Sequence, residues 1–305
     1  MASFKLTAVR PFPMSHVKRL AKLSASACFI SILLACGGGN STSDMVGPIT
    51  PDSTTPPTGI STPTERVPLI ITPGAYTSTI SGKDWVTILM RSQQGSGSTS
   101  QFLSLYYNTA DPDIFSGSGL IAGVESAALA KVMLFQNTLS SVRIGTGTVS
   151  KTSATSLQAN LSFPATGSEL AKSIAVSANM PAAYQYNLAP TQTSIQGTWQ
   201  GRWSYGMGSS DNFSLFISSQ GLVTTSLTFQ QDCRITQSTL LPNFDGTNLF
   251  AWNLVIPNAT LCSFKSQTLT GVAFVTASPV AGKTQRLYAA AISPDGRGVS
   301  FKADR

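Results

Sequence analysis

Histidine is almost absent from this 305-residue chain, which contains only His16. Histidine is the side chain best suited to proton transfer near neutral pH and the commonest transition-metal ligand. Residues 37–305 contain none, which excludes Ser-His-Asp triads, Cys-His dyads and histidine-ligated metal sites there. The same residues 37–305 also lack a Gly-x-Ser-x-Gly element, a Ser-x-x-Lys pair and a phosphate-binding loop. We therefore expect a protein that is not an enzyme, with no catalytic residue, bound metal or cofactor.

Charged residues are scarce, at 11% of the chain, and they are unevenly placed. All 13 acids follow Cys36, whereas five of the 20 basic residues precede it, which leaves 15 bases against 13 acids beyond that point. Those 15 are scattered singly, without the basic stripe that phosphate binding requires. The net charge of +7 therefore does not indicate a nucleic-acid partner.

No apolar run is long enough to span a membrane. Residues 23–35 (LSASACFISILLA) are apolar but would extend only about 20 Å as a helix, against a hydrocarbon core of about 30 Å. A basic, acid-free segment precedes this run, and the small residue Ala35 ends it. This arrangement predicts a signal peptide over residues 1–35.

The end of that run, Leu33-Leu34-Ala35-Cys36, resembles the lipobox of bacterial lipoproteins. The resemblance implies cleavage between Ala35 and Cys36, a diacylglycerol on the Cys36 thiol and anchoring in the lipid bilayer, where each buried methylene contributes about 0.8 kcal/mol. Gly37, in place of Asp, implies an outer-membrane location. The alternative is an ordinary secretory signal.

Four cysteines are present, and Cys28 lies within the predicted signal peptide. Lipidation of Cys36 leaves Cys233 and Cys262, for which an oxidising compartment favours a disulfide. A loop of about 30 residues closed in this way would stabilise the fold by about 3.5 kcal/mol in the chain-entropy model. The alternatives are two unpaired buried thiols or a metal pair, although other ligands are lacking nearby.

Residues 36–67 are predicted to be a disordered tether. Of residues 37–67, 21 are Thr, Gly, Pro or Ser. Such a segment buries too little apolar surface to offset its chain entropy.

From Pro68 onward the pattern is short apolar-polar alternations divided by Gly, Ser, Asn and Pro, which is typical of strands and turns. Weak helical periodicity occurs only at 124–134 and 167–173. The predicted strands are 74–80, 85–91, 101–107, 116–122, 131–135, 142–150, 155–163, 172–178, 196–205, 212–218, 221–229, 233–241, 247–256, 267–276, 284–292 and 298–303.

This pattern predicts a mainly β protein with two small antiparallel barrels or sandwiches. Gly-Ala-Tyr-Thr-Ser at 74–78 and Gly-Thr-Trp-Gln-Gly at 197–201 open two similar halves. We therefore expect one β domain over 68–190 and a second over 191–305, with the boundary in the Pro/Thr-rich stretch 188–194. The alternative is a single large sandwich.

Gly197-Thr198-Trp199 resembles the Gly-x-Trp element of the lipocalins. The resemblance implies that Trp199 closes the base of a barrel and that a late basic residue, Arg286, packs on its ring. Alternatively, Trp199 and Arg286 both contact a ligand. The alternative is an ordinary core tryptophan in a small barrel filled by its own side chains.

Aromatic residues are concentrated in the first two strands of the second half. Trp199, Trp203 and Tyr205 share one face at a period of two, so some of them should pack inward. Any of these or of Phe213 and Phe216 that stayed exposed would be an anchor for a partner.

Two acidic loops are weaker candidates. Asp111-Pro112-Asp113 could hold calcium or an acid/base pair, but the favoured explanation is an Asp-Pro turn, because Asp caps its own turn and Pro fixes φ. Residues 243–246 (NFDG) are typical of a hairpin turn.

The favoured function is that of a lipid-anchored outer-membrane protein with a non-enzymatic binding or structural role, whose partner is an envelope or extracellular macromolecule. Its Cys-Gly-Gly-Gly start resembles that of many proteobacterial lipoproteins with barrel-like domains. Two alternatives remain: a carrier whose barrel surrounds a cavity of a few hundred Å³, and a carboxylate-based glycan hydrolase.

Overall fold

A computed structural model of the chain describes residues 68–91, 100–107, 112–121, 123–136, 141–167, 169–182, 184–205, 208–225, 237–243, 247–256 and 267–305. All of them belong to one compact unit, Pro63–Arg305. Their regular structure is sixteen β-strands and a short 3-10 helix, Gln192–Ser194. The predicted mainly β class, with two barrel-like sheets, is confirmed.

Barrel 1 is a closed antiparallel sheet in which each strand pairs with its neighbours in the chain. The last strand returns to the first, where Asn179 pairs with Thr77. Its strands are β1 Gly74–Ile80, β2 Lys83–Arg91, β3 Ser100–Tyr106, β4 Asp113–Gly119, β5 Ser126–Gln136, β6 Ser141–Ser153, β7 Ser156–Phe163 and β8 Lys172–Asn179.

Barrel 2 repeats this order, because its first strand again pairs with both its second and its last. The sheet's two edge strands approach each other through a single bridge, Leu222 to Thr239, and the Leu240 N–H donates to the Gly221 carbonyl at 2.8 Å. Its strands are β9 Gly197–Tyr205, β10 Gly208–Ile217, β11 Val223–Thr225, β12 Gln237–Pro242, β13 Phe250–Ile256, β14 Gln267–Ala277, β15 Gln285–Ile292 and β16 Gly298–Asp304.

The helical periodicity at 124–134 and 167–173 is not realised. The first stretch lies mostly in β5, whose register shifts between Leu129 and Val132. Because of this irregularity, both side chains point into the barrel although they are three residues apart. A spacing of three is also found along one face of a helix. In the second stretch, Thr166 bridges Glu169 and β8 begins at Lys172.

Aromatic side chains fill the described interior of both barrels. In barrel 1 the Trp85 ring lies 5.1 Å from that of Phe115, which contacts Phe163 at 6.0 Å. In barrel 2 the Trp203 ring lies within 6 Å of three other aromatic rings, those of Phe213, Trp252 and Phe301. Each sheet therefore encloses its own hydrophobic core.

A third buried cluster joins the two barrels. It combines outward-facing residues of β1–β4 with outward-facing residues of β14 and β15, so these strands are buried on both faces. Its members include Ala75, Val86, Ile88, Leu103, Leu105, Tyr107, Ile114, Val272, Phe274, Tyr288 and Ala290. The shared core fixes one barrel against the other and leaves grooves along the junction.

The segment between β8 and β9 is also held against barrel 2. The Tyr184 hydroxyl donates to the Asn248 carbonyl, and the Asn248 N–H donates to the Tyr186 carbonyl, both at 2.7 Å. Among the described residues, no helix is long and apolar enough to cross a membrane.

Candidate functional site

Trp199 lies at one end of barrel 2, fully buried among the core residues. Its indole Nε1–H donates to the Ile195 carbonyl at 2.7 Å. A cation does pack on its ring, but that cation is Arg305, whose guanidinium carbon lies 4.4 Å from the ring centroid.

The expectation that Arg286 would pack on Trp199 is wrong. In β15 Leu287, Ala289 and Ala291 point into the barrel, so strand alternation directs Arg286 to the outer surface. There its guanidinium makes two hydrogen bonds to the Asp304 carboxylate, at 2.8 and 2.9 Å.

The same arrangement closes barrel 1. Tyr76 occupies the position of Trp199, two residues after a glycine with positive φ, and its hydroxyl donates to the Thr72 carbonyl at 2.9 Å. The Lys151 ammonium lies 5.3 Å from the Tyr76 ring centroid. Both barrels therefore begin with Gly-x-aromatic and place a cation on the aromatic ring.

In the described part of barrel 2, the inward side chains pack against one another. Inward side chains of 196–205 and 284–292, including Trp199, Trp203 and Leu287, belong to a single buried cluster. The remaining aromatic candidates divide between the two faces: Phe213 is buried, whereas Phe216 points outward and is 47% exposed.

Several predicted site residues lie outside the described residues. They are Ala35, Cys36, Asp111, Cys233, Cys262, the side chain of Tyr205 and residues 244–246. Asp113 is described, and it is the buried first residue of β4 with an oxygen 3.1 Å from Lys172 Nζ. In the described part of the chain, no three His, Cys, Asp or Glu side chains are grouped to hold a metal ion.

An open cleft of about 450 Å³ lies on the outside of the molecule where the two barrels meet. Barrel 1 contributes β3, β4 and β5, and barrel 2 contributes β14 and the start of the β15–β16 turn. The lining side chains are Gln101, Leu103, Ser116, Ser118, Lys131, Met133, Thr268, Thr270, Ile292, Ser293 and Pro294.

Strand register explains the composition of the cleft floor. Leu103, Ser116 and Met133 are paired across β3, β4 and β5, so they form one row on the outer face of barrel 1. Ser116 is 2% exposed, and its hydroxyl has no hydrogen-bond partner among the described residues. A buried hydroxyl of this kind is costly unless a ligand or water completes its bonding.

The cleft rim is polar and carries one charge. Lys131, Ser118, Thr268 and Thr270 are exposed around the apolar floor, and no described lining residue is acidic. The site therefore offers hydroxyl groups, one amide (Gln101) and one ammonium. Such a lining suits hydrogen bonding to a polar partner and lacks the paired carboxylates that hydrolysis would need.

Seven ionisable side chains form a second cluster at the junction: Asp84, Tyr107, Arg202, Arg286, Tyr288, Lys302 and Asp304. Burial raises the pKa of Tyr107 and of Tyr288 above the ordinary value of 10. Burial also lowers the pKa of Lys302.

Sequence reasoning missed both junction features. The sequence contains one local indication of the junction. β2 and β3 are apolar at successive positions, as in WVTILM at 85–90, and such a run is typical of strands buried on both faces. Comparison of the chain with known protein families, with curated proteins and with solved structures found no match.

Proposed function

We propose that this protein is a non-enzymatic binding protein of the Gram-negative outer membrane, anchored by lipid on Cys36, that engages an envelope or extracellular macromolecule through the cleft between its barrels. The observation that carries the proposal is the contrast between the packed core residues of the two barrels and an open outer cleft, where the buried Ser116 hydroxyl has no hydrogen-bond partner among the described residues.

In this proposal residues 1–35 are a signal peptide, and residues 36–67 tether the folded part to the bilayer. The support is the lipobox-like LLAC at 33–36 and the Thr/Gly/Pro/Ser-rich composition that follows it. A flexible coil of about 30 residues spans on the order of 30 Å, which would hold the cleft clear of the membrane surface.

A disulfide between Cys233 and Cys262 belongs to the same proposal. The strands that flank both cysteines end side by side, because Gln237 pairs with Val255 and Ile256 pairs with Gln267. Cys233 precedes Gln237 by four residues, and Cys262 precedes Gln267 by five. Both cysteines therefore belong to segments that leave the same end of barrel 2.

Site-specific photo-crosslinking of the lipidated protein in its own envelope tests the function. A photoreactive residue at Thr268, on the cleft rim, should give a discrete adduct. One at Ala281, exposed in the β14–β15 turn at the opposite end of β14, should not. Lys131→Glu should abolish the Thr268 adduct. Equal labelling from Thr268 and Ala281, or an adduct insensitive to Lys131→Glu, would contradict the proposal.

The anchor is tested separately by Cys36→Ser. Loss of the thiol should move the protein from the membrane fraction to the soluble fraction without changing its thermal unfolding. A Cys36→Ser protein that stays with the membrane would exclude lipid anchoring at this residue.

A further inference from the structure

The floor of the inter-barrel cleft holds a buried hydroxyl between two apolar side chains. Leu103, Ser116 and Met133 lie side by side across β3, β4 and β5. The Ser116 hydroxyl lines the cleft and has no hydrogen-bond partner among the described residues. A serine hydroxyl both donates and accepts hydrogen bonds. This one therefore has bonding capacity that a polar atom of a ligand would complete.

The next positions along the same strands bring a positive charge to the cleft. Lys131 precedes Met133 by two residues in β5, and it lines the cleft together with Ser118. Two residues of a strand rise only about 7 Å, so the long lysine side chain lies within reach of a group held at Ser116. Lys131 is exposed and has no ion-pair partner among the described residues.

The described cleft lining supplies no carboxylate to balance Lys131. Asp295, which directly follows the lining residue Pro294, is already engaged. Its carboxylate lies 3.3 Å from Arg297 Nε and accepts a hydrogen bond from the Ser293 hydroxyl. The free ammonium and hydroxyl groups of the cleft therefore favour an anionic acceptor. A carboxylate bonds to both, through an ion pair and a charge-assisted hydrogen bond.

The rest of the cleft restricts which molecule carries that carboxylate. Its volume of about 450 Å³ suits a few side chains, since ordinary ligand pockets measure about 300–1,000 Å³. Leu103, Met133 and Ile292 offer apolar contact, which a chain of sugar hydroxyls would not match. A polyanion would bring several charges to a single ammonium. An acidic side chain with apolar neighbours satisfies the volume, the apolar floor and the single charge.

We propose that the cleft binds a short segment of a partner protein in which one Glu or Asp lies between apolar side chains. The carboxylate accepts a hydrogen bond from Ser116 and pairs with Lys131, while the apolar neighbours pack on Leu103 and Met133. This inference rests on the proposed function, because it names the part of the macromolecule that the cleft engages.

Surface plasmon resonance of the full lipidated protein, held in nanodiscs of zwitterionic phospholipid, tests this inference. The probes are the peptide acetyl-Leu-Glu-Leu-amide and its uncharged isostere acetyl-Leu-Gln-Leu-amide. We expect the Glu peptide to bind about tenfold more tightly, because hydrogen bonds to charged groups are stronger than neutral ones. This preference should shrink between about 0.05 and about 0.5 M salt, since Lys131 is exposed to solvent.

Two substitutions separate the contributions of the hydroxyl and the charge. Ser116→Ala should weaken binding of the Glu peptide about fivefold without lowering the free energy of unfolding, because the hydroxyl has no partner among the described residues. Lys131→Gln should bring the affinities of the two peptides within about threefold of each other. Lys83→Gln is the matched control and should change neither affinity. Lys83 is exposed at the start of β2, beyond the end of β3 that is opposite Gln101.

Equal affinities for the Glu and Gln peptides, or equal effects of Lys131→Gln and Lys83→Gln, would overturn the inference. Tighter binding of dextran sulfate than of the Glu peptide would overturn it in favour of a polyanion. A Thr268 adduct in the envelope, formed by a protein that shows no preference for the Glu peptide, would remove only the acidic segment and leave the proposed function in place. Absence of the Thr268 adduct would overturn the proposed function, and this inference with it.

Discussion

The Lys302 ammonium of barrel 2 lies 4.5 Å from the centroid of the Tyr107 ring of barrel 1. The same ammonium is 3.8 Å from the Asp84 carboxylate, also in barrel 1. A cation on an aromatic face contributes about 0.5–2 kcal/mol, depending on its desolvation. The two barrels are therefore joined by a cation–π contact as well as by their shared apolar core.

The ring of Tyr107, and not its hydroxyl, should account for the contribution of this residue to the free energy of unfolding. The hydroxyl is buried without a partner among the described residues. Tyr107→Phe keeps the ring and removes an unsatisfied group, so the free energy of unfolding should stay constant or rise by about 1 kcal/mol. Tyr107→Ala should lower it by about 3–5 kcal/mol. Urea unfolding at pH 7 measures both, and a large loss in Tyr107→Phe would show that the hydroxyl is bonded.

The Arg286–Asp304 pair should make the free energy of unfolding depend on pH in the acid range. Burial acts to raise the pKa of Asp304, but the hydrogen bonds from Arg286 and Ser278 outweigh it and lower the pKa below its ordinary value of 3.8. The unfolded chain therefore binds the proton more readily than the folded one, so the stabilisation is full above about pH 4 and is lost as pH falls through the folded pKa.

Asp304→Asn should accordingly destabilise the protein by about 2–3 kcal/mol at pH 7, less than the loss of a fully buried pair, and by little near pH 2. Asp84→Asn is the control, since its exposed, 3.8 Å contact with Lys302 should be worth less than about 1 kcal/mol. Urea unfolding of both variants at the two pH values measures the difference. A loss in Asp304→Asn that is the same at pH 2 and pH 7 would contradict the ion-pair explanation.

Local sequence pattern was sufficient to locate the strands. Each of the sixteen predicted strands overlaps an observed one, because alternation and turn residues are properties of a few consecutive positions. The inward placement of Trp199 and Trp203 follows from the same alternation. The weak helical periodicity at 124–134 reflects a strand irregularity, because the pairing of β5 with β6 shifts register between Leu129 and Val132.

The candidate sites depended on information that is not local. Ser116 becomes a buried cleft residue only because barrel 2 covers the neighbouring outer face of barrel 1, and no pattern within β4 indicates this. Arg286 lies within β15 and Arg305 directly follows β16, and both are late basic residues. Local pattern does not show which of them reaches the Trp199 ring.

The β15–β16 turn should be sensitive to a single added methyl group. Gly296 has a φ of +87°, and a Cβ there would lie 2.6 Å from the Met133 sulfur of barrel 1. Gly282 has a φ of +77° with open space around it. Both Ala substitutions introduce similar backbone strain, so Gly296→Ala should cost about 1 kcal/mol more than Gly282→Ala through overpacking. Thermal unfolding of the pair measures this, and equal costs would show that Met133 moves aside freely.

The proposed disulfide predicts a mass deficit of two hydrogens and a stability that depends on reductant. Cys233→Ser should lower the free energy of unfolding by about 3.5 kcal/mol, because it restores the chain entropy of a loop of about 30 residues. Intact mass spectrometry and urea unfolding of periplasmically expressed protein provide the measurements. Cys233→Ser combined with Cys262→Ser serves as the control and should match the single variant. Two alkylatable thiols in the native protein would exclude the bridge.

Lys151 should reduce stability at neutral pH. Its ammonium is buried at one end of barrel 1, 3.2 Å from both the Thr72 and Tyr76 hydroxyl oxygens, and no carboxylate pairs with it among the described residues. Burial lowers the pKa of Lys151 below its ordinary value of 10.5, so the unfolded chain binds more protons between the two values and stability rises with pH across that window.

Lys151→Met retains the apolar stem without the charge and should raise the free energy of unfolding by about 1 kcal/mol at pH 7. The gain should shrink as pH rises toward 10, since a growing fraction of the folded wild-type lysine is then uncharged. Urea unfolding at pH 7 and pH 10 measures both values, and a loss of stability that is equal at the two pH values would show that the hydrogen bonds to Thr72 and Tyr76 outweigh the cost of burying the charge.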